Sequence, residues 1–255
     1  MKRKTGVWEW SGSTLNFVIG CSHNCKYCYA KAMSSRMDRK SPDDWENEEI
    51  QQEAIGKNYG LRGEKKQPIM FPTSHDITPH NIEGFTTILR KVLDAGNHVL
   101  IVSKPHLDCI QRICDEFKDH QDKILFRFTI GTVDGKVLEF WEPGAPTFKE
   151  RWECLRLAFS LGYATSISAE PILDMHGIHD VIHLTRPYVT DKIWLGKMNK
   201  VRQRLSHNKA DEETKQQGEE LIQSQNDEAI KDLYQKYKDD PIIEWKDSIK
   251  EVMGL

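Results

Sequence analysis

Residues 15–28 read LNFVIGCSHNCKYC. The apolar run LNFVI at 15–19 stops at Gly20, the pattern of a short buried strand that hands the chain to a loop. That loop carries Cys21, Cys25 and Cys28. Thiolates are the usual ligands of iron-sulfur clusters, and three on one loop can hold three irons of a cubane while the fourth lacks a protein ligand. An open metal position lets a cofactor or substrate bind where a side chain otherwise would. The alternative donor set is Cys3His around zinc, with His23 as the fourth ligand. His23 lies between its would-be partners on a very tight loop, which favours iron-sulfur ligation.

Outward from this loop a rhythm begins. PIMF at 68–71, HVLIVS at 98–103, ILFRFTIG at 124–131, ATSISAE at 164–170 and KIWLG at 192–196 read as strands. Helical patterns fall at 29–37, 81–95, 107–119, 147–161 and 176–185, and the polar stretch 41–67 reads as surface helix or loop. With LNFVI this predicts six strands alternating with helices, an α/β chain folded as a partial (β/α)6 TIM-type barrel over residues 1–199. Beyond residue 200 the rhythm stops, and 200–255 is expected to be a helical C-terminal extension. A polar linker runs through Gly218, helices follow at 219–238 and 241–253, and Ile242, Ile243, Trp245 and Ile249 dock the last helix on the barrel.

Barrel ligands gather at the carboxyl ends of the strands. Cys21, Ser74–Asp76, Lys104, Glu170, and Lys197 with Asn199 all fall there, which implies one shared site. In ATSISAE, Ser166, Ser168 and Glu170 share one face, as do Arg127 and Thr129 in ILFRFTIG. Such a polar face points into the lumen, toward a polar ligand or an internal hydrogen-bond network.

Taken with the aromatic Tyr27 before the third cysteine, the C-x3-C-x2-C segment resembles the signature of the radical S-adenosylmethionine (SAM) superfamily. The resemblance implies a [4Fe-4S] cluster on Cys21, Cys25 and Cys28, with SAM chelating the free iron. A reductant such as flavodoxin or ferredoxin would supply the electron, and cleavage of SAM would give a 5'-deoxyadenosyl radical that abstracts hydrogen. The segments PTSHD, VSKP, EPGAP at 142–146 and SAEPILD at 168–174 resemble the spore photoproduct lyase-like, or DNA repair photolyase-like, branch over about Leu15 to Asn199. By that resemblance Ser74, Asp76, Lys104, Ser168 and Glu170 contact SAM. One departure matters. The lyase carries a hydrogen-donating cysteine near the end of its second strand, and this chain has no cysteine between 29 and 108.

The chain has 255 residues, with 38% hydrophobic and 29% charged, enough apolar content for one large core with a solvated surface. A net charge of -3 argues against coating nucleic acid by bulk electrostatics and leaves room for a local basic groove. Lys26, Lys31, Arg36, Arg39 and Lys40 form one basic cluster, and Lys57, Arg62, Lys65 and Lys66 another. The acidic run SPDDWENEE between them suits an alternating charged surface. Trp8, Trp10 and Trp45 are candidates for base stacking or for core and lid packing. Cys109, Cys114 and Cys154 lie in helical stretches and read as small apolar packing residues, with no structural disulfide expected. With no apolar stretch of membrane length and no secretory-type apolar core near the start, the expected compartment is the cytoplasm, with no membrane partner. The expected function is therefore a radical SAM enzyme acting on a nucleic acid or nucleotide. Two rivals are an iron-sulfur or zinc module for electron transfer or nucleic-acid binding, and radical modification of a peptide or protein.

Overall fold

In the computed structural model, which describes residues 6–255, the strands are β1 (Ser13–Thr14), β2 (Val18–Ile19), β3 (Glu49–Ile50), β4 (Ile69–Met70), β5 (Val99–Ser103), β6 (Ile124–Thr129), β7 (Ala164–Ala169), β8 (Ile193–Leu195) and β9 (Ile243–Trp245). Seven of them form one parallel sheet in the order β1-β4-β5-β6-β7-β8-β9, and β2 and β3 form an antiparallel pair beside it. The helices are α1 (Tyr29–Arg36), α2 (Gln52–Gly56), α3 (Ile82–Asp94), α4 (Leu107–Glu116), α5 (Gly135–Trp141), α6 (Phe148–Ser160), α7 (Ile178–Thr185), α8 (Val201–His207), α9 (Glu212–Ser224), α10 (Asp227–Tyr237) and α11 (Asp247–Met253). The α/β partial barrel is as expected, with two differences in strand assignment.

LNFVI is not a strand of the barrel sheet. The first strand of the barrel is the preceding Ser13–Thr14, in register with Ile69 and Met70. After Leu15 the chain leaves that sheet, and Val18–Ile19 pairs with Glu49–Ile50 instead. Phe17 and Val18 are buried, so the apolar run reported burial and a strand, but not membership of the barrel. The sheet also has seven strands where six were expected. Ile243–Trp245, read as part of a helix, lies parallel to β8 with Ile193 opposite Ile243. β-branched and aromatic residues favour a strand, and the edge of β8 supplies the partner that a three-residue run cannot announce by itself. The polar stretch 200–218, expected as a linker, holds α8 and the first half of α9, and the helix expected at 219–238 breaks between α9 and α10 at Gln225 and Asn226. Asn226 caps α10 by accepting from Ala229 N. Gln225 is buried and spans the interior, accepting from Met198 N at 2.9 Å and donating to Ile172 O at 2.6 Å.

Strand parity separates two environments. Val99 and Ile101, Phe126 and Phe128, and Ile167 face outward into the main apolar core, against Phe85 and Leu89 of α3, Ile113 of α4 and Leu155 of α6. Cys109, Cys114 and Cys154 belong to this core, where burial pushes their thiols up, so they pack as small apolar groups. The inward face is polar and carries the site. Among the described residues no helix is long and apolar enough to cross a membrane.

The turn before β9 is tied to the barrel by Arg186, whose guanidinium grips both carboxylate oxygens of Asp240, Nη2 to Oδ1 at 2.7 Å. Those hydrogen bonds hold Asp240 below its ordinary value. A depressed folded pKa adds stability that is present above the unfolded value of about 3.9 and is lost as pH falls through the lower folded one. Because Arg186 is largely exposed, Asp240→Asn should cost about 1 kcal/mol or less at neutral pH. In thermal melts the gap between the variant and the wild type should close as the buffer is taken below about pH 4.

Candidate functional site

The cysteine loop is held by close backbone approach. Gly20 has φ +100°, and a Cβ there would sit 2.6 Å from Asn47 O and 2.8 Å from Trp45 O, so only glycine fits. Cys21 N then donates to Trp45 O at 2.8 Å, and a turn returns Cys28 N to Cys25 O at 3.1 Å. Cys28 caps α1, its sulfur accepting from Lys31 N at 3.4 Å. On the far side, Gly144 of the EPGAP segment lies so close that a Cβ would be 2.3 Å from Ser22 O. Glu142 accepts a short hydrogen bond from Tyr27 OH and pairs with Arg151 Nη1 at 2.6 Å. Arg151, fully buried, also donates Nε to Pro146 O at 2.7 Å. The EPGAP segment thus clamps the loop from outside.

From the barrel side the loop meets Asp76, at the carboxyl end of the β4 segment. Asp76 Oδ1 accepts from Ser103 Oγ at 3.0 Å and Lys104 N at 2.7 Å; Oδ2 lies 2.9 Å from His23 Nδ1, 3.4 Å from Lys104 Nζ and 3.9 Å from Cys21 Sγ. Burial alone would raise this carboxyl, but Lys104 and His23 outweigh it and hold Asp76 well below its ordinary value. Burial alone would lower Lys104, but Asp76 together with Cys25, Tyr27 and Glu142 more than offsets it and holds Lys104 well above its ordinary value. His23 uses its other ring nitrogen on His106 Nε2 at 2.9 Å. With both nitrogens engaged in this way, His23 does not close a Cys3His set with the three thiols.

Cys21, Cys25 and Cys28 line one cavity of about 490 Å3. Ser74, Asp76, Lys104, Ser168 and Glu170 line the same cavity, so the five polar residues expected at the strand ends are brought together with the thiols. Lys197 and Asn199 line it as well. The inward polar face divides in two. Thr129 and Ser168, paired in register, border the cavity, while Arg127 and Ser166 lie one pleat below and satisfy each other. Arg127 Nε donates to Ser166 Oγ at 2.9 Å, its Nη2 pairs with Asp191 at 2.9 Å, and its guanidinium packs on the rings of both Trp10 and Trp194, which contact each other. Burial pulls Arg127 down to about 10, with Asp191 opposing.

Trp8 stands half exposed on the cavity wall, Trp10 lines the cavity too and packs edge-on against Trp194, and Trp45 is buried behind Cys21 and Ala30. None of the nine basic residues in the two sequence clusters lines the cavity. Lys40 is spent on Asp44 and Glu49, Lys31 on Asn24, and Lys26 on Thr214 and the Phe140 ring. Several side chains at or behind the cavity were not legible in sequence. His106, Arg151, Arg204 and Lys246 come to it through contacts between distant segments, and no local spacing marks them; only the EPGAP segment hinted at Glu142.

The thiols themselves indicate what group fits. All six cysteines are free. Burial, the leading cause in each case, pushes Cys21, Cys25 and Cys28 above their ordinary value, so without a cation they stay protonated. A coordinating metal deprotonates a thiol outright, and three convergent soft donors beside a cavity suit iron. These residues therefore fit a [4Fe-4S] cluster, which Cys21, Cys25 and Cys28 would hold at the edge of the cavity.

A family model described as the Radical SAM superfamily matches residues 15–184. Two curated relatives are similar: the uncharacterised ORF301 of Acidianus two-tailed virus, 28% identical over 178 residues (66% of this chain, 58% of the relative), and the uncharacterised MJ0683 of Methanocaldococcus jannaschii, 25% identical over 178 residues (68% and 66%). The matched stretch thus spans less than two thirds of either relative. Among solved structures, spore photoproduct lyase complexed with dinucleoside spore photoproduct superposes with TM-score 0.55 at 15% identity, covering 91% of this chain and 75% of that one. SuiB of Streptococcus suis bound to precursor peptide SuiA gives TM-score 0.55 at 10% identity, covering 97% and 52%. At such identities these structures show a shared fold. The matched family model covers the cysteine loop and the strands β2 to β7, and this chain belongs to the radical SAM superfamily.

Proposed function

We propose that this chain is a radical SAM enzyme whose substrate is a nucleotide or nucleic acid, recognised by its bases and phosphates. Cys21, Cys25 and Cys28 would hold the cluster, and Ser74, Asp76, Lys104, Ser168 and Glu170 would meet the polar groups of SAM. When bound, cluster and SAM together supply a 5'-deoxyadenosyl radical able to abstract hydrogen from a carbon. The chain's own contribution is orientation and exclusion of water. Asp76 stays ionised beside Lys104 and keeps a fixed pair of charges at the cavity wall. Buried Tyr27 and Trp45 shield the cysteine loop. A reductant of the flavodoxin or ferredoxin kind would supply the electron, and six free thiols suit a reducing compartment, the cytoplasm.

The substrate reading rests on one observation: two cavity-lining cations have no acidic partner. Lys197 and Arg204 line the cavity, and no carboxylate among the described residues pairs with either. Burial depresses Arg204, with Glu170 only partly offsetting it, so its positive charge is under-compensated. Beside them stand Trp8 and Tyr29, rings partly exposed on the same wall. Cations that take phosphate, next to rings that stack on bases, are the elements of single-strand recognition. The spore photoproduct lyase complex, with its dinucleoside, supports the same direction. No cysteine besides the cluster set lines the cavity among the described residues, so the lyase's thiol route of hydrogen return is not the one proposed.

Two experiments test this reading. Anaerobically reconstituted protein should carry about four iron and four sulfide per chain and release 5'-deoxyadenosine from SAM with dithionite. The triple variant Cys21→Ala, Cys25→Ala, Cys28→Ala should do neither. Wild-type protein that binds cluster and SAM yet releases no 5'-deoxyadenosine would count against radical chemistry. In the second, a fluorescein-labelled single-stranded oligonucleotide is titrated at several salt concentrations. Lys197→Gln with Arg204→Gln should weaken binding and flatten the slope of log K against log salt by about 1.4, two single-strand contacts. An unchanged slope would remove the phosphate reading.

A further inference from the structure

Glu170 sits on the cavity wall and is not free there. Its Oε2 lies 3.3 Å from Nζ of Lys246, which belongs to the turn between β9 and α11. Lys246 is almost completely buried. Its ammonium donates to Gly6 O at 3.0 Å and forms ion pairs with Glu9 Oε1 at 2.7 Å and Glu170 Oε2. The Trp10 ring lies beneath, 3.9 Å from Nζ to its centre. The backbone is equally fixed, Lys246 N donating to Leu195 O at 2.9 Å and Asp247 N to Glu9 Oε2 at 3.2 Å. Gly196 makes room for the arrangement: a Cβ there would lie 3.0 Å from Lys246 Cβ and Cγ and 3.0 Å from Glu170 Cγ.

We propose that Lys246 is a positioning residue for Glu170, so that the C-terminal strand and the N-terminal turn complete the SAM-facing wall of the cavity. The proposal rests on the reading above that Glu170 meets SAM. Glu9 and Glu170 are two carboxylates converging on one ammonium. Without it, they would repel each other in a poorly solvated place, and Glu170, already pushed up by burial, would protonate or swing away. With it, the ammonium opposes the upward push of burial on Glu170 and fixes the direction of its carboxylate. Lys246 is not itself part of the cavity lining but touches three residues that are, Glu170, Gly6 and Trp10, so its effect on a ligand passes through them.

A double-mutant cycle tests this. Deleting Lys246 alone strands two buried carboxylates and risks the fold, so the cycle is run in a Glu9→Gln background, which removes one of them. The four proteins carry Glu9→Gln alone, or with Glu170→Gln, with Lys246→Met, or with both. Each is reconstituted, assayed for iron and sulfide and for Tm, and dialysed to equilibrium against radiolabelled SAM. Lys246→Met should weaken SAM binding by about tenfold where Glu170 is present and add nothing where residue 170 is already glutamine. The cluster content should stay unchanged. Equal losses in both backgrounds, or no loss in either, would overturn the positioning role. If Glu170→Gln by itself leaves SAM binding unchanged, the assignment of Glu170 to SAM fails as well, which separates the two failures.

Discussion

A carboxylate buried in a protein is stable only when its charge is met from several sides, and Asp76 is met from three. The end of β5 offers Ser103 Oγ and the Lys104 backbone, Lys104 Nζ offers a charge, and the cysteine loop offers His23. These partners come from two segments, the end of β5 and the cysteine loop, so satisfying one carboxylate fixes the loop against two adjacent strand ends. The EPGAP clamp, with Arg151 and Glu142 holding Tyr27, does the same from the other side. Between these two anchors the three thiols have little freedom, which is the condition for a metal centre held in one orientation.

The barrel carries its polar groups in tiers. Thr129 and Ser168 look into the cavity, while one pleat lower Arg127 is enclosed by Ser166, Asp191 and two tryptophan rings. Of the two roles that parity allowed, ligand contact and internal network, both are present on the same strands at different heights. In that lower tier Trp10, which also lines the cavity, packs edge-on against Trp194.

Much of this was legible in the sequence because it is local. C-x3-C-x2-C within one loop, the alternation of apolar runs and helices, and polar residues at strand ends are short-range patterns, and the thiols with Ser74, Asp76, Lys104, Ser168 and Glu170 do share a cavity. What escaped depends on pairing at a distance. Ser13–Thr14 and Ile243–Trp245 are too short to show a period and become strands only because an edge of the sheet receives them. Lys246 lies 76 positions beyond Glu170, and Arg151 meets Tyr27 only through Glu142, so neither could be found by spacing. The basic clusters are the alternating charged surface that the acidic run between them suited: Lys40 pairs with Asp44 and Glu49, and Lys31 with Asn24, whereas the cations on the cavity wall, Lys197 and Arg204, lie outside both clusters.

The central claim is that the three cysteines leave one iron open to SAM within this cavity. Electron paramagnetic resonance of the reduced, reconstituted protein addresses it directly. If SAM binds at the open iron, its addition should shift the g-values of the [4Fe-4S]+ signal in the wild type. A signal unchanged by saturating SAM, in protein with a full complement of iron and sulfide, would contradict the account.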